Sequence, residues 1–445
     1  MTKIAKHATM TTAKPLRANT GVRKSLPAKP KLGLALAGGG PLGAMYEIGV
    51  LMALDESLEG VDLNDMDVYV GVSAGSFITA ALANKLTPAD IFRLFIENKA
   101  TDKPDGATTS ALKPEVFLRP AFGEYFRRAT MVPPLFARAL LDFATRKLRH
   151  PLKSAALQSF APLTRALPTG IFENNAIRRF LENAFSQPGR TDDFRQLKSC
   201  LYTIATDLDS GQTIRFGGPG FDHIPISQAV QASSALPGLF PPVEIGGHHY
   251  VDGALNKTLN TSVALEAGAR LVLGVNPLVP FDASKARRMG GRKLEKLADG
   301  GLLTVLSQTF RAILHSRMHV GLQKNITKYK DCDVVLFEPA KDDAEIFFTN
   351  LFSYSSRKRV CEHAYQRTRQ DLLKRRHELE PILAKYGVSL NLDVLRNQTR
   401  TLNQRLLKQS HQGRRDERVQ AATHELTDAL AGLEQFVARS RAGRR

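Results

Sequence analysis

A chain of 445 residues, 43% of them hydrophobic, exceeds one ordinary domain and can bury a large core. Its three cysteines, Cys200, Cys332 and Cys361, are scattered, odd in number and without metal-ligand spacing, which excludes a disulfide framework and favours a reducing compartment. The formal charge of +19 sits at the ends: residues 1–31 hold eight Lys or Arg and no acid, residues 351–445 hold twenty basic and ten acidic residues, and the body between is nearly neutral.

The first 31 residues, rich in Lys, Ala, Thr and Pro, are expected to form a disordered basic arm; a cleaved organelle-targeting peptide shares that acid-free composition. No run has the character of a secretory signal. Val68 to Asn84 is uncharged and nearly long enough to span a membrane, but a strand followed by a helix explains it better. The expected location is cytoplasmic, with peripheral contact to a membrane.

Leu32 to Ala37 is short, apolar and uncharged, as a buried strand is, and Ala44 to Leu51 spaces its apolar residues as a helix does. Between them stand Gly38, Gly39, Gly40, Pro41, Leu42 and Gly43. Strand, glycine turn and helix leave free N–H groups where the helix dipole favours negative charge. Three uses are open at this point: holding a nucleotide's phosphates, holding the oxyanion of a reacting ester, or simply turning the chain. Gly38-x-Gly40-x-x-Gly43 fits the dinucleotide fingerprint, which also requires an acid ending the next strand. The next strand-like run, Asp67 to Val72, leads instead into Ser73, which counts against NAD or FAD. No Gly-Lys-Ser/Thr follows the glycines, so a kinase-type phosphate loop fails as well.

Gly71-Val72-Ser73-Ala74-Gly75 is Gly-x-Ser-x-Gly between that strand and the helical run Phe77 to Ala83, the setting of a nucleophile elbow. A serine nucleophile needs a base and an oxyanion hole. Residues 101–168 mix Phe, Leu and Pro with Arg and Lys, and within them Phe136 to Leu148 suits an amphipathic basic helix. That helix would either lie on an anionic membrane or cover the core, and its place in the chain suits a cap over the site. Leu167 to Phe185 predicts a turn and helix, capped near Glu173 or Asn174.

α/β-Hydrolases place an acid and then a histidine after the serine. His315 and His319 share one face of a helix-like stretch, Leu306 to Val320, and His363 lies among basic residues, so surface or packing roles suit all three. His248 and His249 precede Tyr250-Val251-Asp252-Gly253-Ala254-Leu255, where an apolar pair leads to a carboxylate at a strand end. An ordinary Asp-Gly turn has the same letters.

Taken together, the glycine turn, Gly71 to Gly75 and Asp252-Gly253-Ala254 resemble the patatin-like phospholipases in order and spacing, and Ala205 to Phe216 and Gln231 to Leu255 look like the same family's body. The resemblance covers roughly Lys31 to Pro277. It implies an α/β fold of three layers, a mostly parallel central sheet flanked by helices, with a helical C-terminal extension. It also implies a Ser-Asp dyad without histidine: Ser73 as nucleophile, Asp252 as base, and the amides around Gly38, Gly39 and Gly40 as oxyanion hole. Gly43, Gly71, Gly75, Gly253 and Ala254 would support these motifs. No metal and no cofactor are implied. Relatives often carry Arg or Lys where Leu42 stands here, and a glycine where Ala254 stands.

The expected organisation is a basic arm at 1–31, a catalytic domain at 32–277 with the cap-like insertion at about 101–168, a helical completion at 278–390, and a basic helical tail at 391–445. Leu294 to Gln323 and Arg357 to Tyr386 look helical, while Leu392 to Phe436 is long, polar and only weakly heptad-like. The tail lacks stacking aromatics and a known binding motif, so no nucleic-acid partner is expected. The leading function is lipid acyl hydrolysis; the alternatives are acyl transfer by the same dyad and a non-catalytic lipid-binding or scaffold protein. The expected partners are acyl-lipid substrate and anionic membrane surfaces.

Overall fold

The computed structural model describes residues 30–102, 108–109, 119–149, 166–288, 296–349, 354–404 and 406. The basic arm before residue 30, most of the weakly heptad-like stretch to Phe436 with the end of the C-terminal tail, and much of the 101–168 insertion lie outside them.

One sheet organises the chain. Its strands are β1 (Leu32–Leu36), β2 (Val68–Val72), β3 (Cys200–Asp207), β4 (Thr213–Phe216), β5 (Val243–Ile245), β6 (His248–Asp252), β7 (Leu271–Val275) and β8 (Asp333–Phe337). They lie in the order β8-β7-β1-β2-β3-β6-β5, with β4 also on β3. The first five strands of that order are parallel; β4, β5 and β6 join through antiparallel pairings. β1, β2 and β7 are buried at every position, because a parallel strand covered on both faces needs a continuous apolar run rather than an alternating one. Alternation still sorts the side chains: Leu34 and Leu36 enter one core cluster, Ala35 and Ala37 the other. The expected three layers follow from this two-sided packing.

The larger cluster holds helix α1 (Gly40–Ser57), which begins in the glycine turn itself rather than after Gly43. Pro41 suits a first helical turn, where its missing N–H costs nothing. α1 packs closely against α8 (Tyr354–Lys374). At Gly49 a Cβ would stand 2.3 Å from the Cys361 carbonyl oxygen, so only glycine permits this approach. At the far end of α1, Glu56 accepts from the Tyr365 hydroxyl and from Arg400, whose Nη2 lies 3.0 Å from Oε2. Leu395, Leu402 and Leu406 belong to the same core. The packed body therefore continues past 390, into the segment expected to be a separate tail.

Between these come α2 (Ala74–Ala83), α3 (Phe122–Ala129), α4 (Val132–Arg149), α5 (Asn175–Phe185), α6 (Ile226–Ser233) and α7 (Gly301–Lys328). Asn174 is the N-cap of α5, at the expected place, although its side chain pairs with Gln231 rather than with the helix. The predicted helix over 357–386 is two helices, α8 and Arg376–Ala384. No helix among the described residues is long and apolar enough to cross a membrane.

Candidate active site

β2 delivers Ser73 at its carboxyl end, with α2 starting at the next residue. Ser73 has φ 51° and ψ −122°, a conformation that residues with side chains rarely adopt. The strain is held by close packing. A Cβ on Gly71 would meet Thr79 Oγ1 at 2.2 Å, and one on Gly75 would meet the Ala37 carbonyl oxygen at 2.6 Å. Hydrogen bonds complete the hold. Ser76 Oγ donates to the Ser73 carbonyl at 2.6 Å, and the Ser73 N–H donates to Ser233 Oγ at 2.8 Å. Ser233 Oγ in turn donates to the Ile204 carbonyl on β3 at 2.6 Å.

The sheet register brings Asp252 to this place. β4 occupies one edge of β3, so β2 and β6 share the other. On that shared edge Val72 pairs with Ile204, and the next β3 residue, Ala205, pairs with Asp252. The parallel strand ends and the antiparallel one arrives head to head. Ser73 and Asp252 follow directly from that junction, and the serine side chain lies within hydrogen-bonding reach of the carboxylate. The Asp252 N–H donates to the Ala235 carbonyl at 3.0 Å, and its Oδ1 accepts from the Ala254 N–H at 2.8 Å. At Gly253 a Cβ would fall 2.3 Å from the Ile204 carbonyl oxygen.

Both residues are buried, Ser73 at 6% exposure and Asp252 at 2%. Burial pushes the Asp252 carboxyl up to about 6, against the opposing pull of its hydrogen bonds from Ser73 and Ala254. No histidine considered from the sequence completes a triad. His248 pairs with Asp207 and His249 with Asp209; His363 pairs with Asp343, and His315 and His319 face Glu338.

The glycine turn runs beside the serine. A Cβ on Gly38 would lie 2.8 Å from Ala254 Cβ and 3.2 Å from Ser73 Cβ. The Gly38 N–H donates to the Thr258 carbonyl at 3.2 Å, so it is engaged in the fold rather than free. Gly39 is the N-cap of α1 and Gly40 its first residue, positions whose amides have no intrahelical acceptor. Among the described residues neither amide has another acceptor. Leu42 is buried and brings no charge to the turn.

A sequence model of the patatin-like phospholipases matches residues 34–265, just over half of the chain. The chain belongs to the patatin-like phospholipase family. That membership supports a lipid ester hydrolase. Similar solved structures include VipD from Legionella pneumophila, at 15% identity and TM-score 0.36, where the match covers 77% of this chain and 66% of that one. The type III effector ExoU, from Pseudomonas aeruginosa, matches at 15% identity and TM-score 0.30, over 78% of this chain and 54% of its own. Human GIVD cytosolic phospholipase A2 matches at 16% identity and TM-score 0.26, over 60% and 45%. The patatin-like chain thus spans just under two thirds of VipD and about half of ExoU.

The segment just after the insertion lies against the loop that follows the Asp252-bound Ala235, where Gly170 bridges to Gly238, and Pro120 of the insertion bridges to Phe172 of that segment. α3 and α4 leave Phe122, Phe126, Phe136, Leu140 and Leu141 exposed. α7 exposes a second apolar set, Leu302, Val305, Leu306, Phe310 and Ile313, which the sequence reading did not single out. Its helical spacing is visible in the chain, but spacing alone does not separate a face that packs from one that stays bare.

Proposed function

We propose that this patatin-like protein hydrolyses fatty acyl esters of lipids through an acyl-enzyme on Ser73. Asp252 takes the hydroxyl proton as Ser73 Oγ attacks the ester carbonyl. The tetrahedral intermediate collapses by expelling the alcohol, which recovers that proton from Asp252. Water then gives a proton to Asp252, attacks the acyl-serine and releases the fatty acid, and the proton returns to Ser73 Oγ.

The observation that carries this reading is the head-to-head register of β2 and β6 on one edge of β3, which joins a strained serine to a buried carboxylate. An aspartate at the ordinary value of 3.8 is a poor base for a hydroxyl; one raised to about 6 is better matched to neutral pH. The Gly39 and Gly40 amides supply the oxyanion donors. Each such donor typically contributes about 3 kcal/mol or more to the transition state. The free N–H groups at the start of α1 thus serve an oxygen that is negative only during reaction.

The substrate is met at a lipid surface. The exposed apolar residues of α3, α4 and α7 support peripheral docking, and the pairing of Pro120 with Phe172, in the segment whose Gly170 meets Gly238, supports a capping role for the insertion. Ser73→Ala tests the reading: hydrolysis of a phospholipid or a fatty acyl ester should fall to background with the fold unchanged by circular dichroism. Retained hydrolysis would overturn it.

A further inference from the structure

α7 lies across the carboxyl ends of the strands. Gln308 exchanges two hydrogen bonds with the Phe281 backbone, at 3.1 and 2.8 Å. Farther along, Arg317 donates to the Leu255 carbonyl at 3.3 Å and Asn325 to Thr261 Oγ1 at 3.0 Å. Midway between these grips stand His315 and His319, four residues apart and therefore on one helix face. Their Nε2 atoms face each other at 3.0 Å. Glu338, the residue after β8, points into the pair: its Oε1 is 3.7 Å from His315 Nε2 and its Oε2 is 3.9 Å from His319 Nε2.

We propose that His315, His319 and Glu338 bind a divalent transition metal, zinc fitting best, which pins α7 to the strand ends beside the catalytic site. One atom from each residue lies within 4.8 Å of the others. Metal–ligand bonds of about 2.0–2.1 Å in a tetrahedral site place donor atoms roughly 3.3 Å apart, so small side-chain shifts close the site. Two imidazoles and a carboxylate are a donor set that suits zinc. Its carboxylate is already oriented: Asn276 Nδ2 donates to Glu338 Oε1 at 2.7 Å, while Asn276 Oδ1 accepts from the Leu278 N–H at 3.2 Å. Such outer hydrogen bonds fix the direction of metal-ligating carboxylates. His315 is buried, whereas His319 and Glu338 reach solvent, which leaves an entry path and a fourth position for water.

The assignment departs from the packing or surface role that sequence spacing gives the two histidines. It also has a route to the glycine turn: Pro277, next to Asn276, is the residue that a Cβ on Gly39 would strike at 2.6 Å. The metal's part is positional, since it holds a helix and touches no substrate.

Isothermal titration of the chelator-treated full chain with zinc chloride tests this. One zinc per chain is expected, with a dissociation constant in the micromolar range or tighter, and Zn2+ should raise the melting temperature. His319→Ala and Glu338→Gln should each weaken binding at least tenfold; the first removes a half-exposed ring, and the second keeps the acceptor for Asn276. His363→Ala and Ser73→Ala should bind as wild type does, the latter making the result independent of ester hydrolysis. No zinc binding by the wild type, or undiminished binding by a folded His319→Ala or Glu338→Gln, would overturn the proposal.

Discussion

Two groups of reactive side chains stand on the same carboxyl edge of the sheet, on opposite sides of β1: Ser73 with Asp252 toward β3, and His315, His319 and Glu338 toward β8. They are built by different means. The Ser73–Asp252 pair is fixed by backbone: a strained φ, glycines that admit no side chain, and a register that ends one strand where another arrives. The histidine group is fixed by side chains from a helix and a strand end, with Asn276 holding the carboxylate. Backbone-built sites are stiff and buried, so their groups shift in pKa and can store strain. Side-chain-built sites reach solvent and can adjust around a ligand.

That contrast is open to attack at several points. The largest effect is expected at Asp252. Asp252→Asn keeps an acceptor for the Ala254 N–H but cannot take a proton, so hydrolysis should fall by roughly 10^4-fold. In the wild type kcat/KM should rise with pH up to about 6 and then level, as the carboxylate becomes available as base. Stability should move the other way. Because the folded state holds the acid neutral up to about 6, against 3.8 ordinarily, ionisation costs stability as pH rises through that window. From about pH 4 to pH 8 the wild type should lose up to about 3 kcal/mol relative to Asp252→Asn, measured by denaturant unfolding. A gap that does not change with pH would show that the carboxyl is not held neutral.

Gly39→Ala comes next. Its Cβ would stand 2.6 Å from Pro277 Cγ and 2.7 Å from Gly43 Cα, so the turn must shift and its amides with it. Turnover should fall by about 10^2 to 10^3, with KM much less affected, because the lost contact exists only in the transition state. A rise in KM with kcat intact would assign the turn to substrate binding instead. Ser233→Ala is smaller. It strands the buried Ser73 N–H, a loss of about 1–3 kcal/mol in stability, and should lower kcat roughly tenfold by loosening the elbow. Unchanged stability would mean that the hydroxyl is dispensable there.

The smallest effect concerns the basic ends. Basic residues in contact with an anionic surface contribute at most about 1 kcal/mol each, and that attraction falls off within a Debye length of about 8 Å at ordinary ionic strength, so residues held beyond it add little. Co-sedimentation with anionic vesicles should weaken a few-fold on removing residues 1–29 or 407–445, and more at high salt. A cut at 351 is unsuitable for this purpose, because α8 and its partners are core. Binding indifferent to salt and to both deletions would leave docking to the apolar faces of α3, α4 and α7.

Much of the placement of Ser73 and Asp252 at strand ends was legible because its determinants are local. Gly38 to Gly43, Gly71 to Gly75 and Asp252-Gly253 each sit beside an apolar strand run, and each flank carries its own signal. The start of α1 was misplaced because glycines count as helix breakers for the backbone freedom they lose, although they suit a helix N-terminus, and Pro41 lacks an N–H that the first turn does not use. Ser233 was invisible: it lies 160 residues from Ser73 and differs in no local way from its neighbour Ser234. The use of the Gly38 amide by Thr258 was hidden for the same reason. The stretch from Leu392 reads as polar and only weakly heptad-like, yet Leu395, Leu402 and Leu406 complete the core around α1, a match that only the partner surface reveals.

The central claim is that Ser73 is a nucleophile activated by Asp252, and covalent trapping tests it most directly. Incubation of the full chain with a long-chain fluorophosphonate, followed by intact-mass and peptide mass spectrometry, should show one adduct per chain on Ser73. Labelling should be absent in Ser73→Ala and slowed at least a hundredfold in Asp252→Asn. An adduct on another residue, or labelling of Asp252→Asn at the wild-type rate, would contradict the assignment.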